Sequence, residues 1–263
     1  MPAGASRRVA GAGARLSGVP SLAYEQAIVE HASAIADALA DAATNPVPTC
    51  PSWDVAKLAL HVGLVQAWAA AQVVQAGADG IDPRSLPRAP EGPERVDWLR
   101  RTAADCAQAL DGRAPDQPAG RWRDMPVDVA FWRRRIAHET VVHRVDADRA
   151  SDRATSVDGD LAADGISEVA DVFLPLAPLG EHGPTGALHL VRSDGAGRWA
   201  FTTGADIRED GGPATGDGGS PTATVTGPAL SLLLMVWGRD RGEPLNTAGD
   251  AGVLASWTSV LRW

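Results

Sequence analysis

Cysteine is nearly absent from this chain: Cys50 and Cys106 are the only two in 263 residues. They lie far apart, so they form neither the paired spacing of a zinc knuckle nor a disulfide framework, and a reducing cytoplasm is the simplest compartment for them. Cys50, in PTCPSW, has no base beside it in sequence and reads as a small buried thiol rather than a nucleophile. Long apolar runs are missing too. The longest, at 229–237 (ALSLLLMVW), falls well short of the ~20 residues of a bilayer-spanning helix, so no membrane partner is expected. Residues 1–20 hold Arg7, Arg8 and Arg15 among Ala, Gly and Ser, without the apolar centre of a signal peptide, and read as a disordered tail. Basic blocks are lacking, and the net charge of −9 argues against nucleic acid as a partner. No internal repeat is found. What is present is a folding composition, 44% apolar and 22% charged, over a length that suits one large domain or two ordinary ones.

Apolar residues at three-and-four spacing predict four helices in the first half. The first spans 21–43, with Ile28, Ala32, Ile35 and Leu39 on one face. The second starts after Ser52 as N-cap, carries Val55, Leu58, Val62, Val65, Ala69 and Val73 inward, and ends at Gly77. The third covers about 94–111, and the fourth about 127–149 after a loop containing Pro115, Pro118 and Pro126. Four such stripes imply an antiparallel bundle over 21–152. The second half changes character. A helix is expected at 160–174, strands at 187–192, 198–203 and 222–226, and a Gly-rich loop at 204–221. Gly227-Pro228 opens a helix closed by Gly238, and a last helix fits about 249–260. The fold class is therefore α+β with two domains, a four-helix bundle and a smaller α/β domain over 158–263.

The fourth helix, WRRRIAHETVVHRVDAD at 132–148, poses the chemical question. Its inward stripe is Val129, Trp132, Ile136, Glu139, His143 and Asp146, so three polar groups stand where leucines belong. Glu139 and His143 are neighbours at i,i+4, and Asp146 follows three residues on. A buried carboxylate needs a partner. His61 of the second helix lies between the directions of Leu58 and Val65 and also points inward. His61, Glu139 and His143 would make a two-histidine, one-carboxylate set with a fourth position open, as in catalytic zinc sites. The other reading is of hydrogen-bonded core residues, or of ion pairs with Arg133, Arg134, Arg135 and Arg144, although these arginines mostly fall on other faces and read as a solvated surface. His138 precedes Glu139 and suggests HExxH, but the two histidines are five apart and cannot share a face, which excludes the zinc-protease motif.

PVPTCPSWDVAKLALHVGLVQAWAA at 46–70 and RRRIAHETVVHRVDAD at 133–148 resemble signatures of the mycothiol-dependent maleylpyruvate isomerase family, and VTGPALSLLLMVWGR at 225–239 with GDAGVLASW at 249–257 is similar to that family's C-terminal domain. The resemblance covers roughly 20–263. It implies a DinB-like bundle followed by a sterol-carrier-like α/β domain, and a divalent metal, normally zinc, on His61, Glu139 and His143. It matches Arg239 to an arginine near the site. Arg239 then reads as an anion anchor for thiol or substrate, or as a helix-end cation. Asp146 reads as a group orienting a ligand, or as a plain buried salt bridge.

The chemistry implied is a metal-held thiolate of mycothiol acting on a small molecule, without nucleic acid or membrane. Cis–trans isomerisation of maleylpyruvate or a related diacid leads. Permanent S-transfer to an electrophile, and a non-catalytic metal-stabilised binding protein, are the alternatives.

Overall fold

The computed structural model describes residues 22–75, 80–177, 183–202, 222–239 and 243–261. The expected tail at 1–20, the helix end at Gly77 and the 204–221 loop lie outside the described residues. The chain divides into two compact units after Ser156.

The first unit holds α1 (Tyr24–Ala42), α2 (Val55–Gln75), α3 (Glu94–Leu110) and α4 (Val129–Ala150). α1 and α2 each pack against both α3 and α4, which makes a four-helix bundle. The apolar stripes meet in its interior: Ile28, Ile35, Leu58, Val62, Leu99, Leu110, Trp132 and Ile136 are all fully buried. Each such side chain contributes roughly 1.5–3 kcal/mol by leaving water. By length and composition α2 could also cross a membrane. In the bundle its apolar face is buried, and its buried Gln66 and Gln72 hydrogen-bond to Thr140 and Ile81.

Ser52 does not cap α2. It takes left-handed backbone at φ 69°, and Asp54 caps instead, accepting the Lys57 N–H at 2.7 Å. The turn before α2 folds back on itself first. The Val47 N–H donates to the Trp53 carbonyl and the Val55 N–H to the Asn45 carbonyl, so the chain enters the helix later than the sequence suggests. This turn brings Thr49, Cys50 and Trp53 against the bundle.

Residues 118–126, expected as loop, and 127–128, expected as the start of the fourth helix, form an antiparallel ribbon of β1 (Pro118–Trp122) and β2 (Met125–Asp128). Two strands alone leave each with an unpaired side, which tolerates Pro118 and Pro126. Gly120, at φ 73°, sits where the register slips. The ribbon and the loop before it prepare α4. The Gln117 and Pro115 carbonyls accept the Val129 and Ala130 N–H groups, Asp128 caps Phe131, and the Trp132 indole donates to the Ala119 carbonyl at 2.7 Å. The helix bearing the polar stripe therefore starts from a fixed point.

The second unit opens with α5 (Gly159–Glu168), capped by Asp158. The expected helix to 174 continues as a wider turn over Val169–Phe173 and a tighter one over Leu174–Leu176. β3 (Ala187–Arg192), β4 (Arg198–Phe201), β5 (Thr222–Gly227) and β6 (Asn246–Gly249) form a mixed sheet in the order β4-β3-β5-β6, with β3 and β5 parallel. Leu188, Leu190, Trp199, Phe201, Ala223 and Val225 alternate inward, and the Trp257 ring of α7 (Ala251–Val260) packs on Phe201. α6 (Ala229–Val236) packs on α5 and ends at Gly238, φ 66°. There the Gly238 N–H returns to the Met235 carbonyl and the Arg239 N–H to that of Leu234, a Schellman closure. The expected fold class is the one observed: α+β, with a helical bundle and a smaller α/β unit.

Candidate metal centre

His61 leaves the middle of α2, and Glu139 and His143 leave successive turns of α4, where the two helices pack. Both imidazoles aim Nε2 at one carboxylate oxygen. His61 Nε2 lies 2.9 Å and His143 Nε2 3.3 Å from Glu139 Oε1. One donor atom from each of the three residues lies within 4.8 Å of the others. In a tetrahedral zinc site with bonds of about 2.0–2.1 Å, ligand atoms stand roughly 3.3 Å apart. The donor set and its spacing therefore fit a divalent ion of the zinc type, with three protein ligands and room for a fourth.

The surrounding residues fix the orientation of the three. His143 Nδ1–H donates to Asp146 Oδ2 at 3.1 Å, which turns Nε2 toward Glu139. The Thr49 hydroxyl donates to Asp146 Oδ1 at 2.6 Å, and Cys50 Sγ stands 3.8 Å from Oδ2. Arg135 Nη2 donates to Glu139 Oε2 at 2.9 Å, which leaves Oε1 to the histidines. Burial disfavours charge on both central groups, but their partners outweigh it. Hydrogen bonds from His143 and His61, with the charges of His143 and Arg135, hold the Glu139 carboxyl well below its usual range. Hydrogen bonds to Asp146, Cys50 and Glu139 hold His143 well above the ordinary imidazole value. The Trp53 ring walls the pair, with its centroid 4.9 Å from His61 and 6.0 Å from His143. Side-chain exposure rises from 0% at Asp146 through 10% at His143 and 20% at Glu139 to 34% at His61, so the site opens on the His61 side.

Two sequence readings need correction. The arginines of α4 are not a solvated surface: Arg135 is only 4% exposed. Arg133 binds Glu25 at 2.6 Å, and Arg144 binds Asp148 at 3.1 Å. Glu25, Glu139 and Asp148, all at least half-buried, each take a guanidinium from α4, as the cost of desolvating a lone charge requires. Cys50 is half-buried rather than sealed in, and touches Asp146. Cys106 is the sealed thiol, pushed up to about 12 by burial. His138 points elsewhere, its ring nearly perpendicular to that of Tyr24 of α1 with the centroids 6.1 Å apart. Arg239 belongs to the second unit, where Nη1 donates to the Trp237 carbonyl at 2.9 Å and the guanidinium lies over the Trp237 ring. Thr49 and Trp53 escaped the sequence reading, and Arg135 entered it only as a candidate ion-pair partner set aside with the other α4 arginines. Only Arg135 carried a signal, its i,i+4 step to Glu139.

A helical bundle that converges two imidazoles and a carboxylate, joined to a small α/β unit, is the class that fold and site define. Residues 24–148 match the profile of the mycothiol maleylpyruvate isomerase N-terminal domain, and residues 160–256 match that of the C-terminal domain of the same family. The chain belongs to the mycothiol-dependent maleylpyruvate isomerase family. Two solved structures share the fold. A histidine-to-alanine variant of mycothiol-dependent maleylpyruvate isomerase is 12% identical, with a TM-score of 0.60 over 88% of this chain and 94% of that one. The unsubstituted isomerase is 11% identical, with a TM-score of 0.59 over the same shares. No curated protein matches the chain.

Proposed function

We propose that this protein is a zinc- and mycothiol-dependent isomerase of maleylpyruvate or a closely related cis-unsaturated diacid. The observation that carries the reading is the convergence of His61, Glu139 and His143 on one point beside a solvent-facing opening. Family membership supports the thiol and the reaction type. His61 and His143 would hold the ion through Nε2 and Glu139 through Oε1. When bound, the ion supplies the positive charge that keeps a small thiol as its thiolate.

The protein's own residues do the rest. Asp146 keeps the His143 proton on Nδ1, so that Nε2 presents its lone pair. Arg135 neutralises the outer oxygen of Glu139 and fixes its rotamer. Trp53 screens the histidines from water on one side. The mycothiol sulfur adds to the substrate double bond, the resulting single bond rotates, and the sulfur departs with the bonding pair. The thiol is thus regenerated and the diacid leaves in the trans form. Arg239 is proposed to bind a substrate carboxylate, and Asp146 to act by positioning His143.

Purified protein is expected to carry about one divalent ion per chain, as a single three-ligand site requires. His61→Ala and His143→Ala should each empty it. The zinc-loaded protein with mycothiol and maleylpyruvate should lose the cis-enone absorbance without net loss of thiol. Stoichiometric thiol consumption would instead make it a transferase. Full ion occupancy in either histidine variant would remove that residue from the set.

A further inference from the structure

Lys57 is the only lysine in 263 residues, and it lies one helical turn before His61 on α2. Its ammonium stands 5.6 Å above the centroid of Trp53, the ring that walls both histidines. The site opens on the His61 side, Trp53 packs on His61, and Lys57 lies over Trp53 one turn from His61.

The other cations of the bundle around the site are engaged. Arg135 holds Glu139, Arg144 bridges Asp148 and His31, and Arg133 holds Glu25. Lys57 is different. Its ammonium makes one long contact, 3.5 Å to the Ser52 carbonyl, and the residue is exposed. The neighbouring Asp54 carboxylate is occupied in capping α2 through the Lys57 backbone N–H. A chain of net charge −9 repels anions on average, so an anionic substrate needs a local positive group at the opening.

We infer that Lys57, seated on Trp53, is the anchor for a substrate carboxylate at the mouth of the site, which makes it a specificity-determining residue for acidic substrates. The inference rests on the reading of His61, Glu139 and His143 as the reaction centre. It commits the substrate to at least one free carboxylate. Lys57 touches no reacting atom, so its removal acts on substrate capture rather than on turnover.

A single lysine makes the test direct. The zinc-loaded full chain is treated with a limiting amine-acylating reagent, and the modified peptides are counted by mass spectrometry. The N-terminal α-amine serves as the internal control. Saturating maleate should slow acylation of Lys57 about fivefold and leave the α-amine unaffected, whereas the uncharged dimethyl ester should protect neither. In turnover, Lys57→Met should raise KM for the diacid about three- to fivefold with kcat within about twofold, and Lys57→Arg should recover most of the loss, on the scale of a solvent-exposed ion pair. Equal acylation of Lys57 with and without maleate, or an unchanged KM in Lys57→Met, overturns the inference. Protection by maleate in a protein that isomerises nothing would sink the isomerase reading and keep the anchor. Isomerisation without protection would do the reverse.

Discussion

Replacing Asp146 by asparagine probes the metal centre from behind. The carboxylate is fully buried, and the groups that converge on it include the His143 Nδ1–H at 3.1 Å, the Thr49 hydroxyl at 2.6 Å and the Cys50 thiol at 3.8 Å. Asparagine keeps the shape but offers one acceptor oxygen and removes the charge. If the amide oxygen faces His143, the Thr49 hydroxyl rotates to accept from the amide nitrogen and the imidazole keeps its tautomer. If the amide nitrogen faces His143, the ring proton must move to Nε2, the atom that points at Glu139. In either case His143 loses the negative partner that makes its Nε2 a strong donor of electrons. Loss of such an outer partner costs about 10- to 100-fold in metal affinity, or roughly 1.4–2.7 kcal/mol. Asp146→Ala goes further, because it leaves the Nδ1–H and the Thr49 hydroxyl buried without this acceptor, at about 1–3 kcal/mol of folding stability each.

The assay is zinc competition against a chromophoric chelator, with thermal melting of the ion-free proteins alongside. Asp146→Asn should melt near the parent and bind zinc at least tenfold more weakly, whereas Asp146→Ala should lose on both counts. Zinc affinity within twofold of the parent in Asp146→Asn, together with a destabilised Asp146→Ala, would show that Asp146 is a buried salt-bridge partner and nothing more.

Three further perturbations test other parts of the structure. Burial holds the His31 pKa down at about 4, helped by the adjacent Arg144 and partly opposed by Glu30 and Asp148, and His31 Nδ1 faces the Arg144 guanidinium at 2.9 Å. The folded chain therefore binds this proton less readily than the unfolded chain. Stability from this group is complete above about pH 6.5, falls as pH drops toward 4, and is level below; the loss is at most about 3 kcal/mol. Urea melts of His31→Asn across that window should show a flatter slope than the parent, and an unchanged slope would assign the acid sensitivity elsewhere. Gly63→Ala adds helix propensity worth about 1 kcal/mol, but its Cβ would meet the Trp98 ring at 2.3 Å, so overpacking of about 1–3 kcal/mol should win and lower Tm. A raised Tm would mean that the half-buried ring moves aside. Arg239→Ala should lower isomerase activity and leave metal content unchanged; loss of the ion as well would assign Arg239 a structural role.

How much of this was legible in the sequence depends on the range over which each feature is encoded. The helix stripes and the step from Glu139 to His143 are written within one element, so periodicity finds them, and His61 follows because the bundle can bury only one face of α2. Pairings of low apolar content are not written in this way. β6 is NTAG with every residue exposed, an edge strand with no alternation to detect, and β1 and β2 carry prolines that a pattern reader takes for a loop. Thr49 and Trp53 reach the site through a turn whose back-folding depends on hydrogen bonds from Val47 to Trp53 and from Val55 to Asn45, which no local spacing announces. The arginines were misread for a different reason. On a helical wheel Arg135 falls at the border of the stripe, about 20° beyond Asp146, and at the border of an apolar helix face a long cation reaches for water. Once a carboxylate sits in the stripe the argument reverses. The cost of burying Glu139 alone exceeds that of burying it with a guanidinium, so the cation one turn away is drawn under the surface with it. The same rule separates Lys57 from every arginine around the site. Where the acid is buried the cation is drawn in beside it; Lys57 stays in water over an aromatic ring, which leaves its charge open to an anion from solution, as inferred above.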